Sequence, residues 1–183
     1  MGYDLAGIGA DDLAAGCDFL KKLDPEGNLL VSACLFCGKR PAFSPFRIFN
    51  VRGIRVAVVG LSGGALPRAT PGANETAMNC SNPDLERYMK KISQNADLTV
   101  VLSSMPPKEE MEFIRKHPGI ALLISSGRTS PTRAPIKWNG CLIVSSHPRG
   151  KSVGHIKLFL KKEARGYSVA RCENSLHMLE KGK

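Results

Sequence analysis

Aromatic residues are scarce: they make up 6% of the chain, with a single tryptophan. No two of them are placed along one strand as a stacking platform for unpaired bases. Long apolar runs are also missing. The longest, at residues 56–61 and their flanks, is strand-sized and far short of the ~20 residues that a bilayer-crossing helix requires, so no membrane span is expected. The sequence has no Gly-x-x-x-x-Gly-Lys-Ser/Thr loop, the common cradle for nucleotide phosphates. Its four histidines (His117, His147, His155 and His177) are scattered, and none forms a His-Glu-x-x-His zinc helix. Repeats and low-complexity linkers are absent too. Residues 1–20 have no basic start followed by an apolar stretch, so no export signal is expected in the sequence as written.

What remains is the composition of a folded α/β protein. The chain has 183 residues, 43% apolar and 23% charged, which is enough to build a core and fits a single domain over residues 1–183. Its 26 Lys and Arg against 16 Asp and Glu give a net charge of +10, with the cations spread from Lys21 to Lys161 and no dense cluster. Such a balance attracts anions in general. Without a recognition motif, nucleic acid is not an expected partner.

Six cysteines occur, at positions 17, 34, 37, 80, 141 and 172, and only Cys34 and Cys37 are close together. A chain this long does not need a dense disulfide framework, and no second pair at zinc-ligand spacing follows. A redox pair is expected at the start of a helix, which lowers a thiol pKa. Cys34-Leu35-Phe36-Cys37 instead leads into Gly38 and Pro41. Structural cysteines are the favoured reading, and a thiol redox pair of Cys34 and Cys37 is the alternative.

Periodicity predicts helices over residues 11–23, 83–96 and 107–116. Ser81-Asn82-Pro83-Asp84 supplies a cap, an early proline and an acid at the start of the second, and Pro118-Gly119 stops the third. Strands are predicted over residues 29–35, 46–51, 54–61, 98–102 and 120–124, and then over 141–144, 155–160 and 167–171 as an antiparallel end. Residues 62–83 read as one long loop. Gly60-Leu61-Ser62-Gly63-Gly64 fits the Gly-x-Ser-x-Gly pattern of a nucleophile elbow, but Pro67 and Pro71-Gly72 oppose the helix that must follow it. Ser62 is therefore read as a residue of the strand-end loop.

Several segments taken in order resemble one family. Gly2-Tyr3-Asp4 through Gly16 resembles "GYDxxxxGNHEFDxG" of the calcineurin-like metallophosphoesterases, in particular the bacterial 5'-nucleotidase/UDP-sugar hydrolase group. Residues 29–33 are similar to its "PVLSAN" strand, and residues 46–60 (FRIFNVRGIRVAVVG) to its "Y-x-I-x-x-x-G-x-K-V-x-V-I-G" hairpin. Residues 96–104 resemble "ADVVILLSH", residues 119–129 fall where "GIDVIIGGHSH" would stand, and residues 139–158 resemble "NGTLVVQAGSYGKYLGRLDL". The series covers most of residues 2–160.

The resemblance implies a sandwich of two β-sheets flanked by helices, and two metal ions that stabilise the attacking and leaving oxygens of an in-line phosphoryl displacement. Carried over one by one, the ligands are replaced. The Asp-x-His and Gly-Asp motifs and the first strand would lie before Met1, which leaves open sheet edges available for association. The ligand Asn falls on Ala10, and the His that assists the leaving group falls on Asp11, with Asp12 beside it. The ligand His after the "LLS" strand is Ser104, and the two His of "GGHSH" fall on Gly127 and Thr129. Asp11, Asp12, Ser104 and Thr129 would make only a weak, hard-oxygen site. Arg128, between two former ligand positions, would hold an anion such as phosphate or a nucleotide.

The resemblance thus implies a degenerate 5'-nucleotidase-type domain with no cofactor of its own. The alternatives are an active phosphatase using divalent metal ions as part of a longer, exported parent, an anion-binding module, or the thiol redox protein.

Overall fold

Aliphatic runs that alternate small and β-branched residues form the centre of the molecule. The computed structural model describes residues 2–67, 70–127, 130–164 and 166–179. Its N-terminal part holds β1 (Ala6–Gly7), a 3-10 turn (Asp11–Ala15), α1 (Cys17–Leu23), β2 (Leu30–Val31), β3 (Leu35–Cys37) and β4 (Arg40–Pro41). There follow β5 (Phe46–Val51), β6 (Ile54–Leu61), β7 (Thr76–Met78), α2 (Pro83–Asn95), β8 (Leu98–Ser103), α3 (Pro107–Lys116) and β9 (Ile120–Ser125). The chain closes with β10 (Ile136–Trp138), β11 (Cys141–Val144), β12 (Ser152–Lys162) and β13 (Tyr167–Met178).

Six strands make one sheet in the order β10-β11-β9-β8-β6-β5. The four inner strands run parallel, and β5 and β10 pair antiparallel at the edges. Alternate side chains face opposite sides of a strand. Ala57, Val59, Leu61, Val101, Leu123, Cys141 and Ile143 therefore point together into the core beneath α2 and α3. The expected cap holds: Asn82 Oδ1 accepts from Leu85 N at 3.0 Å, and Leu85, Met89 and Ile92 form the buried stripe of α2. On the other face, Leu122, Leu142 and Val144 pack against Ile156, Leu158, Val169 and Cys172 of the long β12–β13 hairpin. That hairpin is the second layer of a partial two-sheet sandwich. No helix among the described residues is long and apolar enough to cross a membrane.

A second, smaller core sits beside the sheet. Ile8, Leu13, Cys17, Leu20 and Leu35 are buried in it, with Leu30, Phe43, Leu66 and Met78 around them. Its sheet has three short strands in the order β4-β3-β7.

Four expectations need correction. The helix over residues 11–23 is two pieces, because Gly16 adopts φ 85° where the chain passes Pro71, and a Cβ there would lie 3.0 Å from the Pro71 carbonyl oxygen. The strand over 29–35 is interrupted because the Ser32 hydroxyl captures the Cys34 and Leu35 amides at 3.3 and 3.1 Å. Within the antiparallel end, β11 pairs parallel with β9, and its antiparallel partner is β10, a strand the sequence did not suggest. The loop over 62–83 also contains a 3-10 turn at Ala73–Glu75 and β7.

Candidate functional site

Parallel strands bring their carboxyl ends to one edge of the sheet, where ligands of open α/β sheets bind. Here β6, β8, β9 and β11 each run out into hydroxyl-bearing residues: Ser62, Ser103-Ser104, Ser125-Ser126 and Ser145-Ser146. The N-terminal segment lies across the first two ends and is tied there by hydroxyls. Ser62 Oγ donates to the Ile8 carbonyl at 2.7 Å and shares a 2.7 Å hydrogen bond with Ser32 Oγ. Ser104 Oγ donates to the same carbonyl at 3.3 Å and accepts from Gly63 N at 3.0 Å. A cavity of about 260 Å³ remains beside this junction, walled by Gly7, Leu102, Ser104, Ile124, Ser126 and Ser146.

Several positions singled out in the sequence converge here. Ala10 meets Gly64, whose own Cβ would stand 3.3 Å from the Ala10 methyl. Gly9 lies against Ser104 and Asp12, with Asp12 Oδ2 accepting from Gly9 N at 2.7 Å. Gly127 passes so close to the strand-end loop of β8 that a Cβ on it would overlap the Met105 carbonyl. Asp11 is exposed on its 3-10 turn. Arg128 and Thr129 lie outside the described residues.

This donor set does not fit a pair of metal ions. Ala10 offers a methyl and Gly127 no side chain. The Ser104 hydroxyl is engaged on both sides by backbone groups, and the Asp12 carboxylate is turned onto its own loop. Among the described residues no three His, Cys, Asp or Glu side chains gather. Ser62, the candidate elbow serine, is 2% exposed and bonded to Ser32 and Ile8, which gives it a structural post.

The Cys34/Cys37 pair is corrected. Cys17 is joined to Cys37 and Cys34 to Cys80. The three residues from Leu35 to Cys37 are extended, so Cys34 and Cys37 are kept roughly 10 Å apart, beyond disulfide reach. An odd spacing along a strand also sends them to opposite faces. Cys34 enters the main core and Cys37 the smaller one. Burial pushes the Cys141 thiol up to about 12 and raises that of Cys172 as well, so neither is a ready thiolate.

Sequence reasoning missed the roles of Ser32, Ser62 and Ser104 in seating the N-terminal segment. The available signal was the recurrence of serine at the end of every parallel strand of the six-stranded sheet.

No protein-family model and no curated protein matches the chain. Solved structures do. A sulfate thiohydrolase, SoxB, from Thermus thermophilus in complex with glycerol superposes with a TM-score of 0.80 at 18% identity, over 97% of this chain and 33% of that one. The calcineurin-like phosphoesterase YfkN of Bacillus subtilis gives 0.77 at 18% identity, over 96% of this chain and 64% of that one. A 5'-nucleotidase precursor from Thermus thermophilus gives 0.74 at 16% identity, over 97% and 39%. The chain spans about a third of the length of the first of these structures. The superpositions cover nearly all of its length, and the molecule therefore has the fold of the calcineurin-like phosphoesterases and 5'-nucleotidases.

Proposed function

We propose that the chain is a degenerate 5'-nucleotidase-type metallophosphoesterase domain that keeps an anion-binding cleft and does not hydrolyse phosphoesters. The observation that carries this reading is the chemistry at the converged positions. Ala10, Ser104 and Gly127 replace amide and imidazole donors with a methyl, an engaged hydroxyl and a bare backbone. In-line phosphoryl displacement by this family's route needs two cations held by such donors, and carboxylates at Asp11 and Asp12 cannot supply the protonated imidazole's part at neutral pH.

Arg128 is the residue assigned to the anion, because a guanidinium matches phosphate with paired N–H donors. The ligand is phosphate or a nucleotide. Two disulfides support an oxidising, exported setting. The outer edges of β5 and of the hairpin strands are the places where another chain would add.

The test is phosphate release from AMP with Mn²⁺, Zn²⁺ or Mg²⁺. None is expected, while calorimetry detects AMP binding that weakens about tenfold in Arg128→Gln. Metal-dependent turnover that disappears in Asp11→Ala or Asp12→Ala would overturn the reading in favour of an active phosphatase.

A further inference from the structure

A second cavity, of about 470 Å³, opens where the end of β11 meets the hairpin, and is lined by Pro131, Arg133, His147, Leu176 and Met178. Both polar residues in it are held by their surroundings. Thr132 and Ser145 tie the Arg133 loop to the end of β11 through Thr132 N to the Ser145 carbonyl at 3.1 Å and Ser145 N to Thr132 Oγ1 at 2.8 Å. From β13, Asn174 Nδ2 donates to the carbonyls of Thr132 and Arg133 at 3.0 and 3.3 Å. The backbone beneath Arg133 is thus fixed from two elements.

His147 is fixed through its own ring. Ser152, buried at 7% exposure, accepts from the His147 amide at 3.1 Å, and its Oγ lies 2.9 Å from His147 Nδ1. The Ser152 hydroxyl can donate its proton to Nδ1. A neutral ring then carries its proton on Nε2, and a charged ring carries one there too. In that tautomer, and when charged, His147 presents an Nε2–H donor. Neither His147 Nε2 nor the Arg133 guanidinium has a partner among the described residues.

The surrounding charge is one-sided. Between Glu112 and Glu163 the sequence contains ten Lys and Arg residues and no Asp or Glu. The nearest acid on β13, Glu173, is paired with Arg171 at 3.2 Å. A local excess of positive charge around a concave surface favours an anion, and a guanidinium lining the same cavity as an imidazole N–H suits a planar or tetrahedral oxyanion. Leu176 and Met178 supply an apolar floor, Met178 being 61% exposed without an occupant. We propose that this cavity is a binding site for a small organic anion with an apolar body, its oxyanion head held by Arg133 and His147 and its body lying on Leu176 and Met178. The site is separate from the strand-end cleft and does not depend on Arg128.

The probe is phenylphosphonate, with inorganic phosphate as the control without an apolar body, followed by amide and side-chain NMR shifts on the full chain. Saturable shifts at His147, Arg133 and Leu176 are expected, with phenylphosphonate the tighter ligand. Arg133→Gln and His147→Gln each weaken it about fivefold to tenfold. Leu176→Asn weakens phenylphosphonate and leaves phosphate unchanged. Ser152→Ala, which frees the ring, costs a smaller part of the affinity. Unaltered spectra away from the cavity show that each variant is folded. The proposal is overturned by unsaturable shifts, by an affinity that ignores both Arg133→Gln and His147→Gln, or by shifts that map to Ser104, Ser126 and Gly127. The last outcome would leave the strand-end cleft as the only anion site, so the two readings fail separately.

Discussion

The parallel sheet and the N-terminal layer beside it reach order by different means. Under α2 and α3 the sheet buries a continuous apolar core of sixteen residues, from Ala33 and Cys34 to Ile143. The N-terminal layer buries five, and its strands are two or three residues long. A core that small supplies little free energy against the entropy of its own chain. Both disulfides lie in that layer or tie it to the sheet: Cys17–Cys37 closes it internally, and Cys34–Cys80 fastens it at the approach to α2. Covalent links take the place of area where area is short.

The largest expected effect breaks this contrast directly. Replacing Cys34 and Cys80 by serine, 46 apart in sequence, should cost about 4 kcal/mol, and replacing Cys17 and Cys37, 20 apart, about 3 kcal/mol. Urea unfolding without reductant measures both. Under reduction, hydrogen exchange should speed up in β3 and β7 while β6, β8 and β9 stay protected; loss of protection everywhere together would show that the two regions are one cooperative unit.

Leu123→Ala, at a fully buried position of the sheet, should cost about 3 kcal/mol, and should do so equally in oxidised and reduced protein if the sheet stands alone. Asn82→Ala sharpens the boundary between the regions. Its Oδ1 caps α2 while its Nδ2 donates to the carbonyls of Ala33 and Asn79, so both regions should feel the loss of about 1 kcal/mol, read as a lower urea midpoint.

The smallest effects are those of pH, and they belong to the sheet side. Burial holds His117 below its ordinary value, against the opposing pull of Glu86 at 3.5 Å, and its ring packs on Phe113. The unfolded chain then takes up the proton first. The contribution is complete above about 6.5 and fades as pH drops through the lower folded value. His117→Gln should flatten the stability profile between pH 7 and 5. Lower still, hydrogen bonds from the Arg55 side chain and amide hold Asp97 at about 2, so its share is present above about 4 and is lost as acid approaches that value. Asp97→Asn should remove that acid limb.

The same division decides what could be read from sequence. Strands β6, β8 and β9 and helices α2 and α3 were legible because each carries its own periodicity and stop signals, as at Asn82-Pro83 and Pro118-Gly119. The N-terminal layer was not. Its breaks come from contacts distant in sequence, Gly16 on Pro71 and the Ser32 hydroxyl within a buried network that reaches Ser62 and Ile8. Disulfide partners follow from which face of β3 each cysteine occupies, and spacing alone cannot give that. At the site, the resemblance singled out Ala10, Ser104 and Gly127, but their gathering at one end of the sheet is visible only in the structure. The hydroxyl ties that now hold the loops there depend on geometry that no motif records. His147 was visible only as a loop histidine, because its support, Ser152, lies beyond a turn with Arg149 and Gly150 at positive φ.

The contact between Gly127 and Met105 limits what can stand at that position. No side chain fits at 127 while the Met105 carbonyl stays in place, because a Cβ there would overlap its oxygen. Any residue larger than glycine at 127 would therefore require the loop after β8 to shift with it, so the two strand-end loops can change only together.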